Sequence, residues 1–218
     1  MSDELLDILD DNGNVIGQGT RAEAHARGLW HRTAHVWVII PPLHGNRDGA
    51  LLFQRRSPSK DVAPNLLDVS VGGHLARGED VLHAAQRELQ EELGVRVRRE
   101  ALRPLGLRQT AGIHGRSTDR EFQTLFGIEE RKPLSEYRVE AREITALIPI
   151  PVERGLALFS GEIGALEVKS ACVCPDGTTE PAMEQVTPHD FLPSRDRYFY
   201  RALVMARRWL RGEDHLVI

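Results

Sequence analysis

Cysteine is scarce in this chain: its 218 residues hold only Cys172 and Cys174, one residue apart. That spacing suits neither a zinc hook nor a disulfide framework, and both read as small apolar side chains on a strand. No apolar run comes near the roughly 18 residues that a membrane-spanning helix needs. No basic segment followed by an apolar one is present either; the chain begins MSDELLDILDD, acidic where a targeting peptide is basic. The expected place is therefore the cytoplasm, with no membrane partner. An excess of positive charge is also missing. The formal net charge of −4 argues against a general polyanion binder, so nucleic acid is not the default partner. Internal repeats, low-complexity segments and long linkers are absent as well. A chain of 218 residues can bury a real core and reads most simply as one domain with extensions, two small lobes being the alternative.

What is present centres on residues 73–95, GHLARGEDVLHAAQRELQEELGV. From Glu79 to Leu93 the pattern is helical, with Leu82, Ala85, Leu89 and Leu93 on one face. Gly94 follows, where a helix often stops on a left-handed residue. Gly72, Gly73 and Gly78 mark a loop that can turn tightly or approach a ligand. On the helix, Glu88, Glu91 and Glu92 fall at i, i+3 and i+4, so their carboxylates share an arc. A pair of carboxylates about 5 Å apart repels by roughly 3 kcal/mol at an effective dielectric near 20. A divalent cation removes that cost, and hard oxygen donors suit Mg²⁺ or Mn²⁺. The other reading is a solvated acidic face, where each like-charge pair costs only about 0.2–0.5 kcal/mol.

Around this stretch, Leu5 to Gly19 reads as a hairpin turning on Asp-Asn-Gly-Asn. Thr20 caps a short helix from Arg21 to Arg27 that Gly28 ends. Strands are expected at His35–Ile40, Ala50–Gln54, Leu102–Gln109 and Glu121–Ile128, and Leu66 to Val71 leads directly into the box. Pro41 to Gly49 reads as an exposed loop, and a Gly/Ser/Thr-rich connection separates the last two strands. Val139 to Leu147 is ambiguous, and Leu156 to Val173 reads as helix then strand. Arg195 to Arg211 is an amphipathic helix with Tyr198, Ala202, Met205 and Trp209 at core spacing, serving packing or a homodimer contact. Strands interleaved with helices suggest an α/β/α sandwich with a mixed β-sheet.

The spacing of Gly73, Glu79, Arg87, Glu88, Leu89, Glu91, Glu92, Gly94 and Val95 resembles the Nudix box, G-x5-E-x7-R-E-U-x-E-E-x-G-U with U a bulky aliphatic. The resemblance implies a Nudix fold with an N-terminal hairpin and a C-terminal extension. It implies residues 1–31 as hairpin and short helix packed on the core, 32–148 as the hydrolase core, and 149–218 as an extension of the same domain. It further implies divalent-metal-dependent hydrolysis of a diphosphate bond in a nucleoside diphosphate linked to another group X, or in a related phosphorylated metabolite. Glu88, Glu91 and Glu92 would hold Mg²⁺ or Mn²⁺, with the Gly72 carbonyl as a further ligand. Gly73, Glu79, Arg87 and Gly94 would be structural, Arg87 and Glu79 pairing to brace the loop.

A finer resemblance covers roughly residues 5–130. Gly-Gln-Gly-Thr-Arg21, Ala24-His25, Trp30-His31-Arg-Thr-Ala-His35, Leu52-Phe-Gln-Arg-Arg-Ser-Pro-Ser-Lys60 and Gly73-His74 look like isopentenyl diphosphate isomerases and the hydrolases related to them. The isomerases use a cysteine where this chain has Gly72, and they usually break the second half of the box, which is intact here. Both departures favour the hydrolase. His25, His31 and His74, with Glu121 of Asp119-Arg-Glu-Phe122, match positions that bind a metal in the isomerases, although a lone histidine is more often packed or solvated. Arg56 and Lys60 match residues that contact diphosphate. The catalytic candidates are Glu91, Glu92 and Glu121, with Glu91 or Glu121 taking the proton of a water. Trp30, Trp37, Phe122 and Phe126 could stack on a base but read mainly as core. The competing expectations are isomerisation of a prenyl diphosphate, and a nucleotide-binding module without turnover.

Overall fold

The computed structural model describes residues 4–42, 48–60, 62–114 and 117–218. The chain opens with β1 (Leu5–Leu9) and β2 (Val15–Thr20), an antiparallel hairpin. Its turn is held by Asp10, whose Oδ1 accepts the Asn12 and Asn14 N–H groups, both at 2.9 Å. The Thr20 hydroxyl accepts the Glu23 N–H at 3.1 Å and so caps α1 (Arg21–Arg27). Gly28 ends that helix in the left-handed region. The central strand, β3 (Trp30–Ile40), starts five residues before the apolar run. Its ladder to a parallel neighbour continues through His31 and Thr33; Thr33 lines a cavity, and His31 is fully buried beside it. β4 (Ala50–Arg56) follows; of the expected loop from Pro41 to Gly49, residues 43–47 lie outside the described residues.

Short strands β5 (Leu67–Asp68) and β6 (Val71–His74) lead into α2 (Val81–Leu93). The next pair, β7 (Arg103–His114) and β8 (Ser117–Glu129), is longer than its apolar stretches. Backbone pairing carries the ladder through most of the Gly/Ser/Thr-rich stretch read as a connection; residues 115–116 lie outside the described residues. β9 (Ile144–Pro151), α3 (Val152–Ser160), β10 (Leu166–Val173), β11 (Thr179–Val186) and α4 (Tyr198–Leu210) complete the chain.

The main path of the sheet runs β11-β10-β9-β4-β3-β1-β2, with β5 on β4 and with β6 and β8 on β3. β3 and β8 are parallel and their neighbours antiparallel, so the sheet is mixed. Alternation along β3 and β4 divides the core between two faces. Trp37, Ile39, Leu51 and Phe53 pack with residues of α3 and α4, whereas Val36, Val38 and Leu52 pack with Ala85, Leu89 and Leu93 of α2. β9 spans the point where residues 149–218 begin, β10 adds to it, and α4 buries Tyr198, Ala202, Met205 and Trp209 against the first face. Cys172 departs from expectation. The pleat of β10 turns Ala171 into the core and Cys172 out to solvent, while Cys174 lies half-buried just past the strand. Among the described residues no helix is long and apolar enough to cross a membrane.

Candidate metal centre and anion-binding cavity

Helix α2 is positioned at both ends by its sequence. Asp80 accepts the His83 N–H at 3.1 Å, and Gly94 closes the helix at φ 63°. The Arg87 guanidinium donates from Nε and Nη2 to the two Glu79 oxygens, each at 3.0 Å, and from Nη2 to the His74 carbonyl at 3.0 Å. Burial pushes the Glu79 carboxyl up, but the hydrogen bonds from Arg87, the Ala76 N–H and His83 outweigh it and hold the group at about 2. These hydrogen bonds join Arg87 on the helix to Glu79 and His74 ahead of it.

The three box glutamates occupy different environments. Glu91 is the outermost, with its side chain 59% exposed and 3.2 Å from Arg87 Nη1. Glu88 is largely covered and accepts from Arg87 Nη1 at 2.7 Å; burial raises its pKa against the pull of that arginine. Glu92 is 6% exposed, and its Oε2 is buried without a hydrogen-bond partner among the described residues. Burial, then the charge of Glu88, pushes Glu92 up to about 8, with Lys60 and Arg56 pulling the other way. Gly73 makes this crowding possible. A Cβ at that position would lie 2.0 Å from the Glu88 carboxyl, so only glycine lets that carboxylate cross the strand here.

A second group of donors lies on the opposite side of β6. The parallel register sets His31 beside Glu121 and Thr33 beside Gln123. His25 from α1 and His74 from β6 complete the group, with 3.2 Å between their Nε2 atoms. The His31 Nδ1 lies 3.0 Å from the Leu29 carbonyl and donates to it, which leaves the Nε2 lone pair facing inward. That Nε2 is 3.6 Å from Asp119 Oδ1 and 3.9 Å from Glu121 Oε1. His31 Nε2 and Asp119 Oδ1 are buried without hydrogen-bond partners among the described residues. Among those residues, His25–His31–His74 and His31–Asp119–Glu121 are the groups whose donor atoms all lie within 4.8 Å; the three box glutamates do not converge to that degree. Burial lowers the pKa of His31 and His74, keeping both imidazoles neutral as metal binding requires. Glu121 is pushed up to about 8 by burial and then by Asp119, against a hydrogen bond from Gln123.

Both groups open into one cavity of about 710 Å³. Glu88, Glu91 and Glu92 line it together with His25, His74, Asp119 and Glu121. Its cations are differently engaged. Arg56 donates from Nη1 to Asp68 at 2.9 Å and from Nε to the Val62 carbonyl at 3.1 Å, and Lys60 pairs with Glu143. Burial lowers the Lys60 pKa. Arg21, which the sequence reading passed over, also lines the cavity; the only signal was its place at the end of Gly-Gln-Gly-Thr-Arg. Arg108, equally unforeseen, is clamped by Asp196 at 2.7 and 2.9 Å, lies 4.3 Å over the Tyr198 ring, and donates to Gln123 Oε1 at 2.6 Å. Arginine only donates, so the Gln123 oxygen must face it and the amide nitrogen turns to Glu121. Nothing local in the sequence announces this link, which joins segments 88 residues apart. Trp30, Trp37, Phe122 and Phe126 do not line the cavity; Trp30 packs on Phe122, while Trp37 and Phe126 are buried in the two cores.

Unpartnered buried Glu92 Oε2, His31 Nε2 and Asp119 Oδ1 fit a divalent cation, which would satisfy atoms otherwise costly to bury. The donor sets differ: carboxylate oxygens beside Gly72 suit Mg²⁺ or Mn²⁺, whereas the imidazole-rich set also suits softer divalent metals.

The fold and the box both have relatives among known proteins. The model of the NUDIX domain matches residues 32–149. An uncharacterized Nudix hydrolase of Clostridium acetobutylicum is 31% identical over 91% of this chain and 95% of its own length. A Nudix hydrolase of Deinococcus radiodurans is 41% identical over 48% of this chain and 58% of its own length. A crystal structure of a Deinococcus radiodurans protein superposes with a TM-score of 0.53 at 26% identity, covering 72% of this chain and 90% of that one. With its box complete and its domain matched along more than half its length, the chain belongs to the Nudix hydrolase family.

Proposed function

We propose that this chain hydrolyses the diphosphate bond of a small phosphorylated metabolite, with a nucleoside diphosphate linked to a group X as the first class to test. We place it in a branch that resembles isopentenyl diphosphate isomerases and has hydrolase chemistry in place of the isomerase's. One observation supports this reading above the others: a single cavity holds both buried acids, Glu92 and Glu121, and the cations Arg21, Arg56 and Lys60. Glu88 and Glu92, with Glu91 and the Gly72 carbonyl, would hold Mg²⁺ or Mn²⁺; His25, His31, His74, Asp119 and Glu121 are candidates for a second cation. A bound divalent ion neutralises phosphoryl charge and lowers the pKa of water. Arg21, Arg56 and Lys60 would bind the phosphoryl group remote from the bond that breaks. Glu121, oriented by the Gln123 amide, would accept the proton of the attacking water.

The test is a screen of phosphorylated metabolites with Mg²⁺ or Mn²⁺, reading phosphate release after a phosphatase step. A diphosphate cleaved by the native chain and not by Glu92→Gln supports the reading. Absence of metal-dependent cleavage across nucleoside diphosphate derivatives would overturn it. A second reading, isomerisation, draws on the assembly of His25, His31, His74, Asp119 and Glu121. Against it stands Gly72 in place of the thiol, and neither cysteine lines the cavity. Deuterium wash-in to isopentenyl diphosphate would revive it.

A further inference from the structure

Along one face of β3 the side chains change from apolar to polar at a single residue. Trp37 and Ile39 are buried in the core that includes α4, Thr33 lines the cavity, and His35, which also lines it, stands between. Its Nδ1 lies 3.1 Å from the Tyr198 hydroxyl, and that hydroxyl lies 3.1 Å from the Trp37 indole nitrogen. Trp37 is fully buried and Tyr198 is 2% exposed, so each polar atom in this chain needs its partner. An indole N–H only donates, and the tyrosine oxygen therefore accepts from Trp37. The tyrosine proton then has one acceptor among the described residues, His35 Nδ1. A proton on Nδ1 would face that hydroxyl proton and leave a buried donor unsatisfied. The neutral imidazole thus carries its hydrogen on Nε2.

His35 is one of the residues that line the cavity. A Cβ on Gly72 would come within 3.4 Å of His35 Nε2, so the donor stands directly over the glycine that precedes the box. Among the described residues Nδ1 bonds to Tyr198 and Nε2 has no protein partner; the nearby Asp68 is engaged by Arg56 at 2.9 Å and by the Val69 N–H at 2.8 Å. The site therefore offers a fixed, neutral donor beside Gly72 in the cavity wall, where an anionic oxygen would meet it.

We propose that His35 binds a phosphoryl oxygen of the substrate through Nε2–H, with Tyr198, at the first turn of α4, as the positioning residue that sets its tautomer. This rests on the diphosphate reading above, and it gives a task to the C-terminal helix that no motif announces. The Tyr198 hydroxyl is taken up by Trp37 and His35, so it acts through His35.

Nitrogen NMR on histidine-labelled protein gives the first test. The expected signature is a protonated Nε2 and a bare Nδ1 at His35, with mixed tautomers in Tyr198→Phe; a protonated Nδ1 in the native chain overturns the proposal. Kinetics give the second. His35→Gln keeps an amide N–H near the Nε2 position and should stay within about threefold of native KM, whereas His35→Leu should raise KM roughly 10–100-fold, the worth of a hydrogen bond to a charged group. Equal KM values in His35→Leu and the native chain would remove His35 while leaving hydrolysis standing. Should the native chain cleave no diphosphate, the hydrolase reading falls, and inorganic pyrophosphate added with Mg²⁺ decides for His35 separately. A change of the Nε2 signal on that addition supports the contact, and an unmoved signal overturns it.

Discussion

At the scale of single residues, burial separates acids that the helix spacing treats alike. Glu88, Glu91 and Glu92 share one arc of α2, yet Glu91 is exposed and Glu92 sits with an orphaned oxygen at the cavity wall. Replacing Glu92 by Gln keeps its shape and removes its charge. Metal-dependent turnover should then fall about 100-fold or more, as expected for lost charge stabilisation at a reacting phosphoryl group. Near neutral pH the metal-free melting temperature should hold or rise, because an acid that must take up a proton to be buried has gone; calorimetry on the pair of proteins reads both signs. Gly73→Ala makes a different prediction. The added Cβ would meet the far end of Glu88, which can swing away, so circular dichroism and unfolding should change little while activity is lost.

At the scale of elements, the ends of α2 carry the precision of the site. Asp80 caps the first turn and also pairs with Arg99 at 3.0 Å. Asp80→Ala should cost about 1 kcal/mol in urea unfolding, mostly from the lost cap. Gly94 sits at φ 63°, and a Cβ there would lie 2.8 Å from the Arg138 carbonyl oxygen. Gly94→Ala should therefore cost more, on the order of 1–3 kcal/mol, since strain and a backbone clash add. Equal unfolding midpoints for the two variants would contradict that ordering. The box helix and its Gly94 stop were legible from local spacing, as was α1 between Thr20 and Gly28; the start of α2 at Val81, capped by Asp80, was not, since the periodicity placed it at Glu79. The lengths of β3, β7 and β8 were not. Their polar ends are strand because a neighbour supplies hydrogen bonds, a condition that no single segment states.

At the scale of the whole molecule, the cavity exists because α4 covers only part of the β3 face. Removing residues 198–218 would expose Trp37, Ile39 and Phe53, and the truncated chain should lose cooperative unfolding by circular dichroism. The buried acids set a pH dependence whose sign can be worked out. Glu92 and Glu121 both titrate at about 8 in the fold against a usual value of 4.5, so the folded chain holds their protons more tightly than the unfolded one. Their contribution is greatest below pH 4.5 and is lost as pH rises through about 8. Metal-free protein should accordingly lose melting temperature across that window, and Mg²⁺ or Mn²⁺ should reduce the loss by stabilising the ionised carboxylates. An unchanged melting temperature across the window, in the absence of metal, would count against the burial of these acids.

What the sequence determined by itself was everything that short-range periodicity and spacing can carry: the box, its helix and the glycine that stops it, the hairpin, the amphipathic C-terminal helix and the chemistry expected of clustered glutamates. Only the tertiary structure decided which glutamate is buried, that three histidines from α1, β3 and β6 meet two acids of β8, and that Tyr198 and Asp196 reach back to His35 and Arg108. The physical reason is common to all three. Burial and hydrogen-bond direction depend on partners 49 to 163 residues away, as between His25 and His74 or His35 and Tyr198, and such pairs leave no periodic trace along the chain.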